Sequence, residues 1–456
     1  MAQSNKTYDE LKVGDEAVIK RVCSANDLYV FAHASGNLNP LHLPESEGSG
    51  EAVAPSMWVG ALVSAVLGNL LPGPGTLYKT QSFRFLDRVH VGDELTITVR
   101  VAEKRPGNAV VLETTVTGRG GDLVADGQAE VLAPTAKIEF EGSSLPEILV
   151  ARHRHFDRLL QLAHALPPLT TAVVAPEEAT ALGGALLGAR HEIIKPILIG
   201  RPDRIRAAAK ALGQDISGFE LIEVASTDEA AARAVALVHE GRVQALMKGH
   251  LHTDELLHHI VKSNGGLRTA RRLSHVFVMD VPGLEHPLFV SDAAINIAPS
   301  LEDKVDITQS AIDLALALGL EKPKVGILSA IETVSPKIPS TLDAAILSKM
   351  AERGQIRGGL VDGPLAMDNA IDIGAAKTKG ITSLVAGQAE ILIVPNLEAG
   401  NMLVKELSFI AHAEAAGIVL GAKVPVILTS RADNEKSRLA SCAVASLYQA
   451  WKGHAE

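Results

Sequence analysis

The spacing of apolar and polar positions changes its rhythm once along the chain. Before residue 133 it runs in twos. The segments Thr76 to Phe85, Glu94 to Glu103, Ala109 to Val116 and Leu123 to Leu132 are alternating and β-branched, with Gly-rich breaks between them, which predicts an antiparallel meander. Ahead of them the pattern predicts an extended segment from Leu11 to Cys23, a polar-capped helix start at Ser24 to Asp27, and a long apolar helix over 55–71. One helix with a meander makes an α+β unit. Further on, short aliphatic runs (TAVVA at 171, PILIG at 196, VQALM at 243, KVGIL at 324, EILIVP at 390, PVILTS at 425) alternate with amphipathic stretches, which predicts a parallel α/β sheet covered on both faces. That region is large for one doubly wound sheet, so two lobes with a cleft between them are expected, with substrates at strand C-terminal ends. The boundaries read from the pattern are 1–134 and 145–456, with Ala133-Pro134-Thr135 opening a linker that runs to Ser143.

Composition narrows the function classes. The 456 residues include 9 Phe, 4 Tyr and 2 Trp against 39 Gly and 22 Pro, which suits aliphatic sheets and tight turns better than base-stacking surfaces. The net charge of −10 supplies no general positive field, so nucleic acid is not an expected partner and any anionic substrate must be met by local cations or helix N-termini. Cys23 and Cys442 are too few for a disulfide framework, and no signal peptide is read at the N-terminus, so the cytoplasm is the expected location. Ala52 to Tyr78 is 27 residues without a charged side chain, long enough to suggest a membrane span. Pro55, Asn69 and the Pro72-Gly73-Pro74-Gly75 turn bound a shorter helix inside it, and a buried helix with no membrane partner is the reading taken.

In the first domain the most informative segment is Phe31-Ala-His-Ala-Ser35-Gly36-Asn37-Leu38-Asn39-Pro40-Leu41-His42. With the downstream LPGPGTLY and FRFLDRVHVGDELTITV, it resembles the MaoC-like (R)-specific enoyl-CoA hydratases of the hotdog fold over residues 10–134. Such hydration needs a carboxylate and a His on either side of one water. The resemblance puts His42 in the His role, but Asn37 stands at the carboxylate position, and a neutral amide cannot accept the proton. Pro55-Ser56-Met57 replaces a His-Gly-Met whose Gly amide holds the thioester oxygen in that family. Two readings follow: an active hydratase using His42, or a degenerate domain kept for dimerisation or for binding acyl-CoA without turnover.

Residues 145–456 resemble the phosphate acetyl/butyryltransferase family, leaning toward its butyryl side. The motifs are Ala245 to Thr253 (ALMKGHLHT), Leu267-Arg268-Thr269 with Ser274-His275, Ser291 to Pro299 (SDAAINIAP), Leu328 to Thr333 (LSAIET), Asp362 to Asp368 (DGPLAMD), Pro395 to Asn401 (PNLEAGN) with Lys405, and Leu428 to Asp433 (LTSRAD). The resemblance implies a two-lobed α/β phosphotransacylase fold, isocitrate/isopropylmalate dehydrogenase-like, and the reaction acyl-CoA + phosphate ⇌ acyl phosphate + CoA. It implies coenzyme A as a substrate and no other cofactor, a ternary complex without a covalent intermediate, and a homo-oligomer.

The reaction needs a base for the CoA thiol, donors for a tetrahedral oxyanion and a fixed bidentate cation for phosphate, a role Arg fills better than Lys. By resemblance Ser430 and Arg431 are the catalytic pair, Arg431 binding phosphate and Ser430 donating to the reacting oxygen or thiol sulfur. The base lies between Asp433 and Glu435; counting along the acetyl branch reaches Lys436 and Ser437 instead. Asp433 has a second reading as the N-cap of a helix starting near Asn434. Lys248, Gly249, Thr253, Asp292 and Asn296 are substrate-binding candidates where a phosphate would meet a helix N-terminus, with donors at Gly249 and Thr253, and the same positions read equally as a turn. Asn396, Gly400, Asn401 and Lys405 resemble the family's phosphate-side loop, Gly400-Asn401 reading otherwise as a tight turn. Arg268, Arg271 and Arg272 are either a seat for CoA phosphates or a solvated helix face. Where the acetyl branch has a CoA-contacting Arg, this chain offers His258 and His259. No metal is assigned, because the His pairs lack a recognised ligand pattern.

Overall fold

The alternating runs of the first third fold as strands. The computed structural model describes residues 3–44, 52–140, 153–428 and 434–455, and these fall into two units, 1–150 and 151–456. In the first, β1 (Gln3–Ser4) and β2 (Glu16–Val22) precede helix α1 (Ala25–Ser35) and helix α2 (Ser56–Asn69); β3 (Leu77–Phe85), β4 (Glu94–Arg105), β5 (Ala109–Thr117), β6 (Leu123–Leu132) and β7 (Glu139–Phe140) follow. Antiparallel pairing gives the order β2-β4-β5-β6-β3.

Helix α2 lies on this sheet, the hotdog arrangement. Pro55 supplies no side-chain cap. Burial compensates, since Trp58, Val59, Val63, Val66 and Leu67 pack among Leu95, Ile97, Val99 and Leu112, and roughly 1.5–3 kcal/mol per side chain outweighs the ~1 kcal/mol of a missing cap. Gly60 permits the approach, because a Cβ there would come within 2.9 Å of the Phe83 ring. The expectation of a helix buried on every side holds for one face only. Met57, at 58% exposure, heads an exposed stripe with Ala61, Ser64 and Gly68, because the sheet curls around the opposite face. At 14 residues α2 is short, and among the described residues no helix is long and apolar enough to cross a membrane.

The expected linker begins too early. Residues 135–140 return to the first unit: Asn5 Nδ2 donates to Ala136 O at 2.9 Å, the Ile138 N–H donates to Asn5 Oδ1 at 3.0 Å, and β7 pairs with β1.

The second unit alternates as its rhythm predicts. Its first part is α3 (Arg154–His164), β8 (Leu169–Val174), α4 (Ala179–Arg190), β9 (Ile194–Gly200), α5 (Pro202–Leu212), β10 (Glu220–Glu223), α6 (Thr227–His239), β11 (Ala245–Lys248) and α7 (Thr253–Val261). Then come β12 (Ser274–Asp280), β13 (Leu288–Ser291), α8 (Leu301–Ala317), β14 (Lys324–Leu328), α9 (Pro339–Glu352), β15 (Leu360–Leu365), α10 (Met367–Ile371), α11 (Ile373–Thr378), β16 (Ile391–Ile393), α12 (Leu397–Phe409) and β17 (Glu414–Leu420). The chain returns through β18 (Val426–Ile427) and α13 (Glu435–Ala455).

The sheet is mixed, not parallel throughout. Its 11 strands run β10-β9-β8-β11-β18-β17-β12-β13-β16-β14-β15. The block from β10 to β18 is parallel, as is the block from β13 to β15, and β17 and β12 join them by antiparallel ladders. The two parallel blocks therefore point in opposite directions, and each carries one lobe. The joining strands escaped the pattern for physical reasons. Strand β17 is rich in small residues, and Gly417 is required there because a Cβ would lie 2.9 Å from His275 Nε2 and 2.7 Å from Leu428 O. Strand β12 buries polar Ser274, His275 and Asp280 at its ends.

Candidate active site

Ladder register brings the ends of the strands together. Met247 of β11 pairs with Ile427 of β18, Ile427 with Ile418 of β17, Ile418 with Val276 of β12, Val276 with Ser291 of β13, and Ser291 with Ile393 of β16. The C-terminal ends of both parallel blocks thus sit at one level of the sheet, approached from opposite directions. Loops from both lobes leave there, which is where an α/β sheet binds its ligands.

Ser430, Arg431 and Asp433 lie outside the described residues. Their flanks are described: the Leu428 N–H donates to Gly417 O at 3.4 Å, and on the far side Asn434 Oδ1 accepts the Ser437 N–H at 2.8 Å. Asn434 is therefore the cap of α13, a place the sequence reading had offered to Asp433. Glu435, the other candidate base, is exposed in the first turn of α13. Lys436 is committed to Asp157 at 3.0 Å and to His153 O at 3.1 Å.

On the first lobe Lys248 ends β11, and its Nζ donates to Leu251 O at 3.1 Å. Gly249 is not a free donor as expected: its N–H goes to Val174 O at 2.8 Å, and a Cβ would lie 2.3 Å from that oxygen. It is a glycine because the loop passes hard against the end of β8. Thr253 opens α7, half-buried, and its hydroxyl has no hydrogen-bond partner among the described residues. His259 does not stand in for a CoA-contacting Arg, since it is buried with Nε2 2.6 Å from Asp228 Oδ1, and it holds that carboxyl below the usual range.

On the second lobe Asp292 organises a loop. Oδ1 accepts the N–H groups of Ala294 and Ile295 at 2.9 and 3.0 Å, and Oδ2 accepts the Asn296 N–H and Nδ2 at 3.1 and 2.6 Å. Asn296 Nδ2 also donates to Leu273 O at 2.8 Å, and its Oδ1 accepts Arg272 Nε at 2.8 Å. Both side chains are buried and saturated, so their work is to shape the loop. Asn396 caps α12 by accepting the Ala399 N–H at 2.9 Å. Gly400 lies inside that helix and not in a tight turn; a Cβ would be 2.9 Å from Ala293 Cβ, so its absence lets α12 lie on the 292–296 loop. Asn401 Nδ2 reaches Ala293 O at 3.4 Å, and Lys405, one turn on, is exposed.

The Ser274-His275 motif holds a residue outside the substrate-binding candidates. His275 pairs with Val419 on the α7 face of the sheet, 2% exposed, and its Nδ1 has no hydrogen-bond partner among the described residues. Burial pushes its pKa down to about 4 against the opposing pull of Asp292, so the ring is neutral. The clue was a polar residue inside a β-branched run, SHVFV.

In the first unit Asn37 and His42 share the loop after α1. His42 Nδ1 is 2.7 Å from Val53 O; a carbonyl only accepts, so Nδ1 carries the proton and Nε2 presents a lone pair. Asn37 Oδ1 accepts the Asn39 N–H at 3.3 Å. Ser56, first residue of α2, is exposed behind an uncapped terminus.

The comparisons with known proteins agree with these halves. The family model described as phosphate acetyl/butaryl transferase matches residues 223–446, and the one for the MaoC like domain matches residues 10–119. A phosphate acetyltransferase of Rhizobium meliloti is 58% identical over 300 residues, covering 66% of this chain and 95% of that protein. The chain belongs to the phosphate acetyl/butyryltransferase family. It is an acyltransferase with a MaoC-like domain at its N-terminal end. A phosphate butyryltransferase of Clostridium acetobutylicum is 38% identical, with 64% of this chain and 98% of that protein covered. The transferase is thus closer to this acetyltransferase than to this butyryltransferase, against the leaning of its motifs. A crystal structure of a branched-chain phosphotransacylase from Enterococcus faecalis superposes with TM-score 0.53 at 29% identity, covering 62% of this chain and 99% of that one.

Proposed function

We propose that the C-terminal unit interconverts short acyl-CoA plus phosphate with acyl phosphate plus CoA, in the range acetyl to butyryl and acetyl first, and that the N-terminal domain binds acyl-CoA with little hydration. The convergence of strand ends from both lobes at one level of the sheet carries this reading, with Leu428 and the capping Asn434 as the described neighbours, in sequence, of Ser430, Arg431 and Asp433. In the direction that consumes acyl phosphate and forms acyl-CoA, Asp433 takes the thiol proton, and the thiolate attacks the carbonyl carbon of the acyl phosphate, forming the S–C bond. Ser430 donates to the resulting oxyanion. Collapse breaks the C–O bond to phosphorus, and Arg431 holds the departing phosphate by paired hydrogen bonds. Asn434 supports Asp433 as the base, since the capping position is filled without it.

Phosphate-dependent release of CoA thiol from acetyl-CoA tests this. Release is expected from the wild-type chain and a fall of about 10²- to 10³-fold in Arg431→Ala. No release from wild type, or undiminished release from the variant, overturns it.

A further inference from the structure

The two chain segments that cross between the lobes are zipped together. Arg268 bridges to Ala422, the Lys423 N–H donates to Leu267 O at 2.9 Å, and Thr269 Oγ1 donates to Gly421 O at 2.7 Å. The solvated helix face considered for the arginines here is not what forms, because 262–273 is a loop pinned by these bonds. Its arginines divide. Arg268 is exposed and Arg272 Nε is held by Asn296 at 2.8 Å, both beside α7, whereas Arg271 reaches across to pair with Asp313 of α8. That pair forms one wall of a separate pocket of about 420 Å³, on the opposite face of the sheet from α7. The other walls are Gly421 and Ala422 of the crossing and the last turns of α13, where the Tyr448 and Trp451 rings lie 6.1 Å apart, tilted by 32°. Lys452 Nζ donates to Lys423 O at 3.0 Å and so ties the end of α13 to the crossing. The charged residues lining this pocket are two cations, Arg271 and Lys452, against one carboxylate, Asp313.

We propose that this pocket is an effector site for a flat aromatic monoanion, whose binding displaces the end of α13 against the crossing and lowers the turnover of acyl transfer. Aromatic faces beside small residues accept a flat ring, and the excess of one positive charge selects an anion. The volume falls within the range of small-molecule sites. Helix α13 supplies both separation and coupling. Trp451 stands sixteen residues along it from Glu435, about 24 Å at 1.5 Å per residue. The same unbroken helix begins at the Asn434 cap, next in sequence to Asp433. One rigid rod therefore runs from the pocket to the segment that carries the proposed base, and an occupant at its far end acts there without competing for the substrate's place. The effect on turnover rests on the acyl-transfer reading above; the binding does not.

Naphthalene-2-carboxylate is the probe, titrated calorimetrically into the full-length protein with CoA present at saturation. Cyclohexanecarboxylate, without the flat ring, and naphthalene-2-methanol, without the charge, are the comparators. The probe is expected to bind the wild type, and the comparators to bind roughly 10-fold more weakly. Trp451→Leu should weaken the probe by a similar factor, and Ala270→Phe, which adds a ring to the pocket wall from an exposed loop position, should block it. Turnover at saturating acetyl-CoA and phosphate should fall several-fold with the probe bound, the KM for acetyl-CoA staying unmoved, and neither variant should respond. Failure of the probe to bind the wild type, displacement of the probe by CoA, or equal binding by wild type and Trp451→Leu overturns the site. Binding that leaves turnover unchanged overturns its effector role. Binding is read without turnover, so an inactive wild type that still binds the probe through Trp451 refutes the transferase reading and leaves the site standing.

Discussion

The two units reach their sites by opposite routes. In the N-terminal unit the strands β4, β5 and β6 pair with their neighbours in sequence, and the residues bearing on chemistry sit in one loop after α1 and in the first turn of α2. In the C-terminal unit β11 lies between β8 and β18, and β17 beside β12, so the site draws on segments far apart in sequence. A site held in one short loop can change its chemistry by a single substitution while the fold stays intact, and position 37, an Asn in this loop, is where that is open to test. A site assembled from strand ends is tied to the register of the sheet. There the residues that looked chemical, Gly249, Asp292, Asn296 and Asn396, turn out to hold backbone in place.

The largest effect that sharpens this contrast is a gain. Asn37→Asp restores a carboxylate to a loop where His42 is already oriented, and hydration of crotonyl-CoA should rise about 10²- to 10⁴-fold over wild type. Ready turnover by the wild type would break the contrast, showing that the loop tolerates an amide. The next effect is one of pH. His275 is held neutral down to about 4, while in the unfolded chain it titrates near 6.5. Between those values only the unfolded chain takes up the proton, so the native state loses stability as pH falls through the window, by roughly 3 kcal/mol in all. In urea unfolding, the stability gap between wild type and His275→Gln should be widest at pH 7 and narrow toward pH 4.5. A gap independent of pH would mean that His275 is not buried as a neutral ring. The smallest effects compare two caps. Ser24→Ala removes the capping box of α1 and Asn434→Ala the cap of α13, each worth about 1 kcal/mol. Only the second adjoins residues 430–433, so only it should also slow acyl transfer, several-fold at equal stability loss.

Most of this fold was legible in the sequence wherever structure is local. The alternating runs became β3 to β6 within a residue or two of their expected ends, and Ser24 caps α1 as its pattern suggested. What the chain did not declare was pairing at a distance. Nothing in the runs at 274 and 414 announces antiparallel ladders joining two parallel blocks, because a central strand with both faces covered has no alternation to show its direction. At the site, residue types pointed to the right segments and said less about roles. The same Asn or Asp serves a ligand or a backbone N–H, and only the neighbouring donors decide between them.

The crossing between the lobes has a further consequence for how this enzyme can be rebuilt. Ser274 and Leu420, the first residue of β12 and the last of β17, are ladder partners. Everything between them is a cassette whose two ends emerge side by side, set into a host formed by the residues before and after it. Such a cassette can be exchanged for that of a relative without moving the host's own ends. Chimaeras joined at 274 and 420 would therefore separate what the inserted segment contributes to acyl-group choice from what the host contributes to holding coenzyme A.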